Sequence, residues 1–187
     1  MAASCALGER ALPQTAFDID PADLRWPTAR PPRTLLSVTG STGELPVDRF
    51  PSEIAALLAH WERLAAGGIP RWRSFDPVDG TLLLRHLVLW DVLPDGGGYR
   101  CRLAGTEVCD AAGRELRGLS PEAVGWDAAA EVRRDFDAVR DGRGLSYVER
   151  DLGWPGRDLR GFRRLVTPWA GDDGRISHLL AILVFLR

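Results

Sequence analysis

A chain of 187 residues has room for one domain with an extension, and its composition, 45% hydrophobic and 27% charged, is that of an ordinary globular protein. All 24 basic residues are Arg; against 26 acidic residues they leave a net charge of −2, so no overall field draws the chain to nucleic acid or to an anionic membrane. Three cysteines, Cys5, Cys101 and Cys109, provide neither a disulfide framework nor metal-ligand spacing, which fits a reduced, cytoplasmic setting and names no metal.

The first nine residues lack the basic region and apolar core of a signal peptide. Residues 1–50 are rich in Pro, Thr, Ser and Gly and show no sustained apolar period, so they are predicted to be a loosely ordered extension ahead of a domain spanning 51–187. Phe17, Ile19, Leu24 and Trp26 give this extension the means to drape on the domain. Ser52 is the expected N-cap of a helix, with Glu53 near the positive end of its dipole. Ile54, Leu57, Leu58, Trp61, Leu64 and Ala65 then form one apolar stripe, which Gly67 and Gly68 terminate. That stripe packs on its own domain, and at Leu57, Trp61 and Leu64 it is also a candidate to meet a second copy.

Asp76 before Pro77 signals a short helix to about residue 84, and 86–93 alternates as a strand. Pro94 to Gly98 reads as a hairpin turn, so Tyr99–Ala104 returns antiparallel. A short helix over Thr106–Ala112 follows, started at Gly105 or Thr106 and stopped by Gly113; Ser120, Pro121 and Glu122 mark another brief one. Asp127 is the expected cap of a longer helix in which Ala129, Val132, Phe136 and Val139 share a face. Residues 145–152, 159–167 and Ile176–Leu186 read as strands. The last is the most apolar stretch, far short of the ~20 residues of a spanning helix. It is apolar on both faces, hence central and covered on its outer side, most simply by the leading helix.

Strand, strand, short helices and three more strands behind a leading helix resemble the element order of a PAS domain. The likeness extends to His60-Trp-Glu-Arg-Leu64, Gly68-Ile-Pro-Arg71, Phe75-Asp-Pro77, Leu89-Trp-Asp-Val92, Tyr99-Arg-Cys-Arg-Leu-Ala-Gly-Thr106, Gly113-Arg-Glu-Leu-Arg-Gly118 and Leu165-Val-Thr-Pro168, over about residues 54–187. These segments are similar to a divergent bacterial PAS family of alphaproteobacterial type, most of it uncharacterised. The resemblance implies an α+β fold: a five-stranded antiparallel sheet around a small cavity, with short helices on one face and the leading amphipathic helix on the other. It also implies a sensory or interaction role rather than a reaction.

In that frame Arg102, Cys109, Arg114, Tyr147 and His178 are the candidates to line the cavity. Arg102 and Arg114 could grip a carboxylate or phosphate, or serve as clamps on Glu107 or Glu115. Cys109 lacks the Asn-Cys-Arg-Phe setting of flavin-binding relatives and reads as a small buried helix residue. None of the three histidines falls in 127–140, where haem-binding relatives carry their ligand, and His178 reads as a core histidine. Arg163 and Arg164, adjacent on a strand, put one guanidinium on each face; one could point at the cavity, or both could be ordinary exposed sheet arginines. No phosphate-binding loop, nucleophile elbow or zinc motif occurs, so enzymatic activity is not expected and the cofactor is left unassigned. The expected function is a non-catalytic sensor that binds a small ligand or a protein partner, homodimerises through its leading helix and signals in trans to a separate protein. The alternatives are a structural dimerisation domain with a filled core, or an enzyme on an α+β scaffold.

Overall fold

The computed structural model describes residues 33–76, 83–94, 97–124, 128–142, 144–152 and 159–187. One antiparallel sheet carries the fold. Its strands are β1 (Arg33–Gly40), β2 (Leu87–Val92), β3 (Tyr99–Ala104), β4 (Leu145–Asp151), β5 (Gly161–Ala170) and β6 (Ile176–Leu186), in the spatial order β1-β4-β5-β6-β2-β3. The helices are α1 (Ser52–Ala65), α2 (Thr106–Ala112) and α3 (Ala129–Arg140).

β6 is central, paired with β5 on one side and β2 on the other, and its period-two pattern feeds two apolar layers. Leu180 and Ile182 enter the outer layer with Ile54, Leu57, Leu58 and Trp61 of α1, while Leu179, Ala181 and Leu183 enter the inner layer with Val132, Phe136 and Val139 of α3 and Val108 of α2. The inner layer is filled by large side chains: Trp90 and Tyr99 both meet the Phe136 ring edge-on, at 5.4 and 5.1 Å between centroids. Both layers follow from the apolar face of each amphipathic helix and the two apolar faces of β6.

Six strands stand where five were expected. The extra one, β1, belongs to the segment read as a loose extension; residues 1–32 lie outside the described residues. Its partner is the edge of β4, with pairs from Arg33↔Asp151 to Gly40↔Leu145. The sequence signal was weak because Leu35 and Leu36 break the alternation, and the register shifts between Thr34 and Leu36 to accommodate them. Leu36 and Val38 pack on the outer layer, and two 3₁₀ turns, Thr42–Glu44 and Val47–Arg49, lead into α1. Gly144 permits the close approach of β1: a Cβ there would sit 2.0 Å from the Gly40 carbonyl oxygen, and its φ of +106° is glycine's territory.

Other boundaries moved for local reasons. Pro51, not Ser52, is the N-cap of α1, and the Ser52 hydroxyl donates to Glu53 instead. Ala66 turns left-handed ahead of Gly67 and ends the helix. β5 runs three residues past its predicted end, through Pro168; β4 pairs only as far as Val166, so no ladder donor is required there on that side. The predicted helix before residue 84 lies largely outside the described residues, as does Asp127, the expected cap of α3, while Leu84–His86 forms one 3₁₀ turn. Ser120 to Val124 makes only a single turn, through a bond from Val124 N–H to the Ser120 carbonyl. Among the described residues no helix is long and apolar enough to cross a membrane.

Trp61 fastens α1 to the sheet. It is buried, and its indole N–H donates to the Pro168 carbonyl at 2.9 Å. Trp61→Ala should cost about 3–5 kcal/mol, and Trp61→Phe, which keeps most of the burial and loses the bond, about 0.5–1.5 kcal/mol. Equilibrium urea unfolding of both variants measures this; equal midpoints for Trp61→Phe and wild type would show the bond to be idle.

Candidate functional site

The five cavity candidates are not brought together. Arg102, Tyr147 and His178 lie on the outer face of the sheet, with α1, because strand parity sends them opposite Cys101, Val148 and Leu179. Tyr147 is buried against Phe50, 4.6 Å between ring centroids, and its hydroxyl donates to Glu149 at 3.1 Å. Burial, then the Glu149 carboxylate, pushes the phenol above its ordinary range. Cys109 does sit on the inner side. Cys109 packs at the margin of the inner layer, 3.8 Å from Glu115 Oε1, and burial raises its thiol pKa; its neighbour Cys101 is pushed up to about 12, again chiefly by burial. Neither thiol is poised as a thiolate. Arg114 is half-buried, its backbone N–H bonded to the Cys109 carbonyl. The clamp on Glu107 comes from Arg85, at 2.5 Å, while Arg102 pairs with Asp91 at 2.7 Å.

The dimer candidates are likewise taken up within the chain. Leu57 and Trp61 are buried against β5 and β6, and Leu64 is partly buried at the rim of the same layer. A stripe of this width covers the outer face of the sheet, and Leu57 and Trp61 spend their apolar surface there.

On the outer face His178 stacks on Trp72 at 4.9 Å, and its Nδ1 meets the Ser177 hydroxyl at 2.7 Å. Its Nε2 lies 3.5 Å from Asp91, a carboxylate already held by Arg102. The Ser177–His178–Asp91 line therefore lacks a free carboxylate to support an imidazolium. Burial first, and Arg102 second, depress the His178 pKa below 6.5, and Asp91 offsets them only in part.

The concavity with the strongest chemistry is at the other end of the sheet, on its inner side. Here Ser37, Val148 and Arg164 form one cross-strand rung over β1, β4 and β5, and Thr34, Arg150 and Phe162 form the next. α3 lies across them and encloses a groove of about 310 Å³. Glu131 and Asp135, one turn apart on α3, each take a guanidinium. Arg150 donates to Glu131 at 2.7 Å, with Thr34 Oγ1 on the same oxygen at 3.0 Å, and Arg164 donates to Asp135. Arg164 is 2% exposed and Arg150 8%. Burial opposes the Arg164 charge, with Asp135 opposing that shift, and the guanidinium also lies over the Phe136 ring at 5.6 Å. For Glu131, burial raises the pKa, but the bonds from Arg150 and Thr34 outweigh it and hold the carboxyl below its ordinary range. Arg164 is thus the member of the Arg163–Arg164 pair that faces inward, and Arg163 faces out, 3.9 Å from Glu149. The groove was not legible in the sequence because β1, which supplies Thr34 and Ser37, had not been read as a strand.

This topology invites comparison with known proteins. The model of the PAS domain family matches residues 49–184. The chain belongs to the PAS domain family. Among solved structures it is similar to the PAS domain of Bordetella pertussis BvgS, at 19% identity and a TM-score of 0.45, covering 57% of this chain and 82% of that one. It is also similar to an RNA-binding Light-Oxygen-Voltage receptor, at 16% identity and a TM-score of 0.41, covering 82% of this chain and 39% of that one. No curated protein matches the chain. The family match starts after β1, so the strand that walls the groove lies outside the matched part of this PAS domain.

The depressed pKa of His178 carries a pH signature. Below about 6.5 the unfolded chain binds a proton that the folded imidazole resists, so stability falls as pH drops through that value toward the folded pKa. In His178→Gln the slope of the urea midpoint between pH 7.5 and 5 should be shallower than in wild type. Parallel slopes would mean that His178 titrates normally.

Proposed function

We propose that this PAS domain is a sensory module that takes a small ligand in the α3 groove and passes the change to a separate protein partner, without catalysing a reaction. The observation that carries this reading is the position of the groove. The inner layer, where a cavity was expected, is packed with Trp90, Tyr99 and Phe136, whereas the groove between α3 and β1-β4-β5 is open and lined by buried cations. A ligand there would touch α3 directly, and α3 is held to the sheet on that side by two ion pairs that a ligand can perturb. Family membership supports a sensory role in general, and the cytoplasmic setting expected from the cysteines belongs to the same proposal.

The filled inner layer favours a second reading, a protein-interaction domain with no ligand. Homodimerisation is compatible with either, through a surface other than the one Leu57 and Trp61 occupy. Thermal-shift screening of the purified chain against a metabolite library, with native mass spectrometry, separates the two. Ligand sensing predicts a compound that raises the melting temperature and adds its own mass at one per chain. No shift across the library and a bare chain mass would reject ligand sensing in favour of the interaction domain.

A further inference from the structure

The groove has the chemistry of a carboxylate receptor. We propose that it binds a small organic carboxylate with an apolar body, held by Arg164 and Arg150 and reached past Arg134; this rests on the ligand-sensing reading above. Three guanidiniums face two carboxylates in the lining, leaving one positive charge in excess. Two of the three are buried, where an extra anion meets little screening from water. The Nε of Arg164 is buried and has no hydrogen-bond partner among the described residues, although a guanidinium can donate five bonds. A carboxylate matches the guanidinium fork in shape and charge; once Arg164 turns from Asp135 toward the groove, it would supply both the missing acceptor and the missing charge.

The remaining walls restrict the ligand further. Val132 from α3, Val148 from β4 and Phe162 from β5 make one side apolar, so a body of hydrocarbon or aromatic character is accommodated and a bare inorganic anion is not favoured. A volume of about 310 Å³ suits a molecule of metabolite size. Because Asp135 and Glu131 already engage the two guanidiniums, an incoming carboxylate competes with α3 for them. Binding is then felt by a helix whose neighbouring face, through Val132 and Phe136, fills the inner layer.

The test is calorimetric titration of the full chain with benzoate, its neutral isostere benzamide and inorganic phosphate, together with two variants. Ser37→Phe fills the groove from β1 without touching an ion pair, and Arg134→Gln removes the exposed cation at the rim. Replacing Arg164 itself risks unfolding, so it is not relied upon. The expected result is saturable benzoate binding at one site per chain, weakening as salt is raised. Benzamide and phosphate should each bind at least about tenfold more weakly. Ser37→Phe should abolish benzoate binding while the protein stays folded by circular dichroism, and Arg134→Gln should weaken it several-fold. Benzamide binding as tightly as benzoate would overturn the carboxylate assignment and leave the ligand-sensing reading intact, and phosphate binding as tightly would do the same. Benzoate binding unchanged in folded Ser37→Phe would place the site elsewhere. If none of the three probes binds while the library screen finds a ligand, the carboxylate proposal falls alone; if the screen is also empty, both fall.

Discussion

Everything in this fold depends on burying both faces of β6. A strand with Leu179, Ala181 and Leu183 on one side and Leu180 and Ile182 on the other cannot leave either side in water, since each Leu or Ile contributes on the order of 1.5–3 kcal/mol when fully buried. The strand must therefore be central, and two covers are required. α1 covers the outer face, and α3 with α2 covers the inner one. Placing β6 between β5 and β2 also explains why the first hairpin and the last hairpin join into one sheet although long stretches of chain separate them.

That requirement gives the leading helix a task within the chain. Its apolar stripe, legible from spacing alone, was expected to pack on its own sheet, with part of it also a candidate to meet a second copy. With the outer face of β6 to cover, the sheet takes it, and Leu57 and Trp61 end buried within the chain. The same logic moves Tyr147 and His178 away from the inner side: each shares parity with outer-layer residues, and parity is fixed once the strand register is fixed. Period-two alternation told which residues share a face. It could not tell which face would meet which helix, and that is why the inner-side candidates were mixed with outer-side ones.

The legible parts were those whose physics is local. The α1 stripe, the stop at Gly113, the hairpin held by the bond between Leu93 N–H and the Gly98 carbonyl, and the bounds of β6 all follow from neighbouring residues. Gly105 is a nearly local case: it was read as a helix start, but its lack of a Cβ also allows the Leu84 and Arg85 backbone to pass, since a Cβ would lie 2.2 Å from the Leu84 oxygen. β1 is the opposite case. Its residues are mostly exposed, its alternation is broken by a bulge, and its reason to be a strand is the open edge of β4 more than a hundred positions along the chain. No window of sequence around Arg33 contains that edge.

The consequence of β1 reaches the groove. Without it, the β4 edge would face water at Val148 and Arg150, and the concavity beneath α3 would have no wall on that side. With it, Thr34 bonds the same Glu131 oxygen that Arg150 uses, so strand, strand and helix are tied at one atom. Buried ion pairs of this kind add little net stability, because desolvation of both charges offsets most of their attraction. An apolar pair at Arg164 and Asp135 would hold α3 to the sheet at least as well. What charged groups offer instead is an arrangement that a competing anion can alter, and a helix pinned by exchangeable contacts is one whose position can carry a signal. The contrast between two faces of α3 makes the point: Val132, Phe136 and Val139 are locked into the inner layer, while Glu131 and Asp135 hold the groove by contacts that charge alone can exchange.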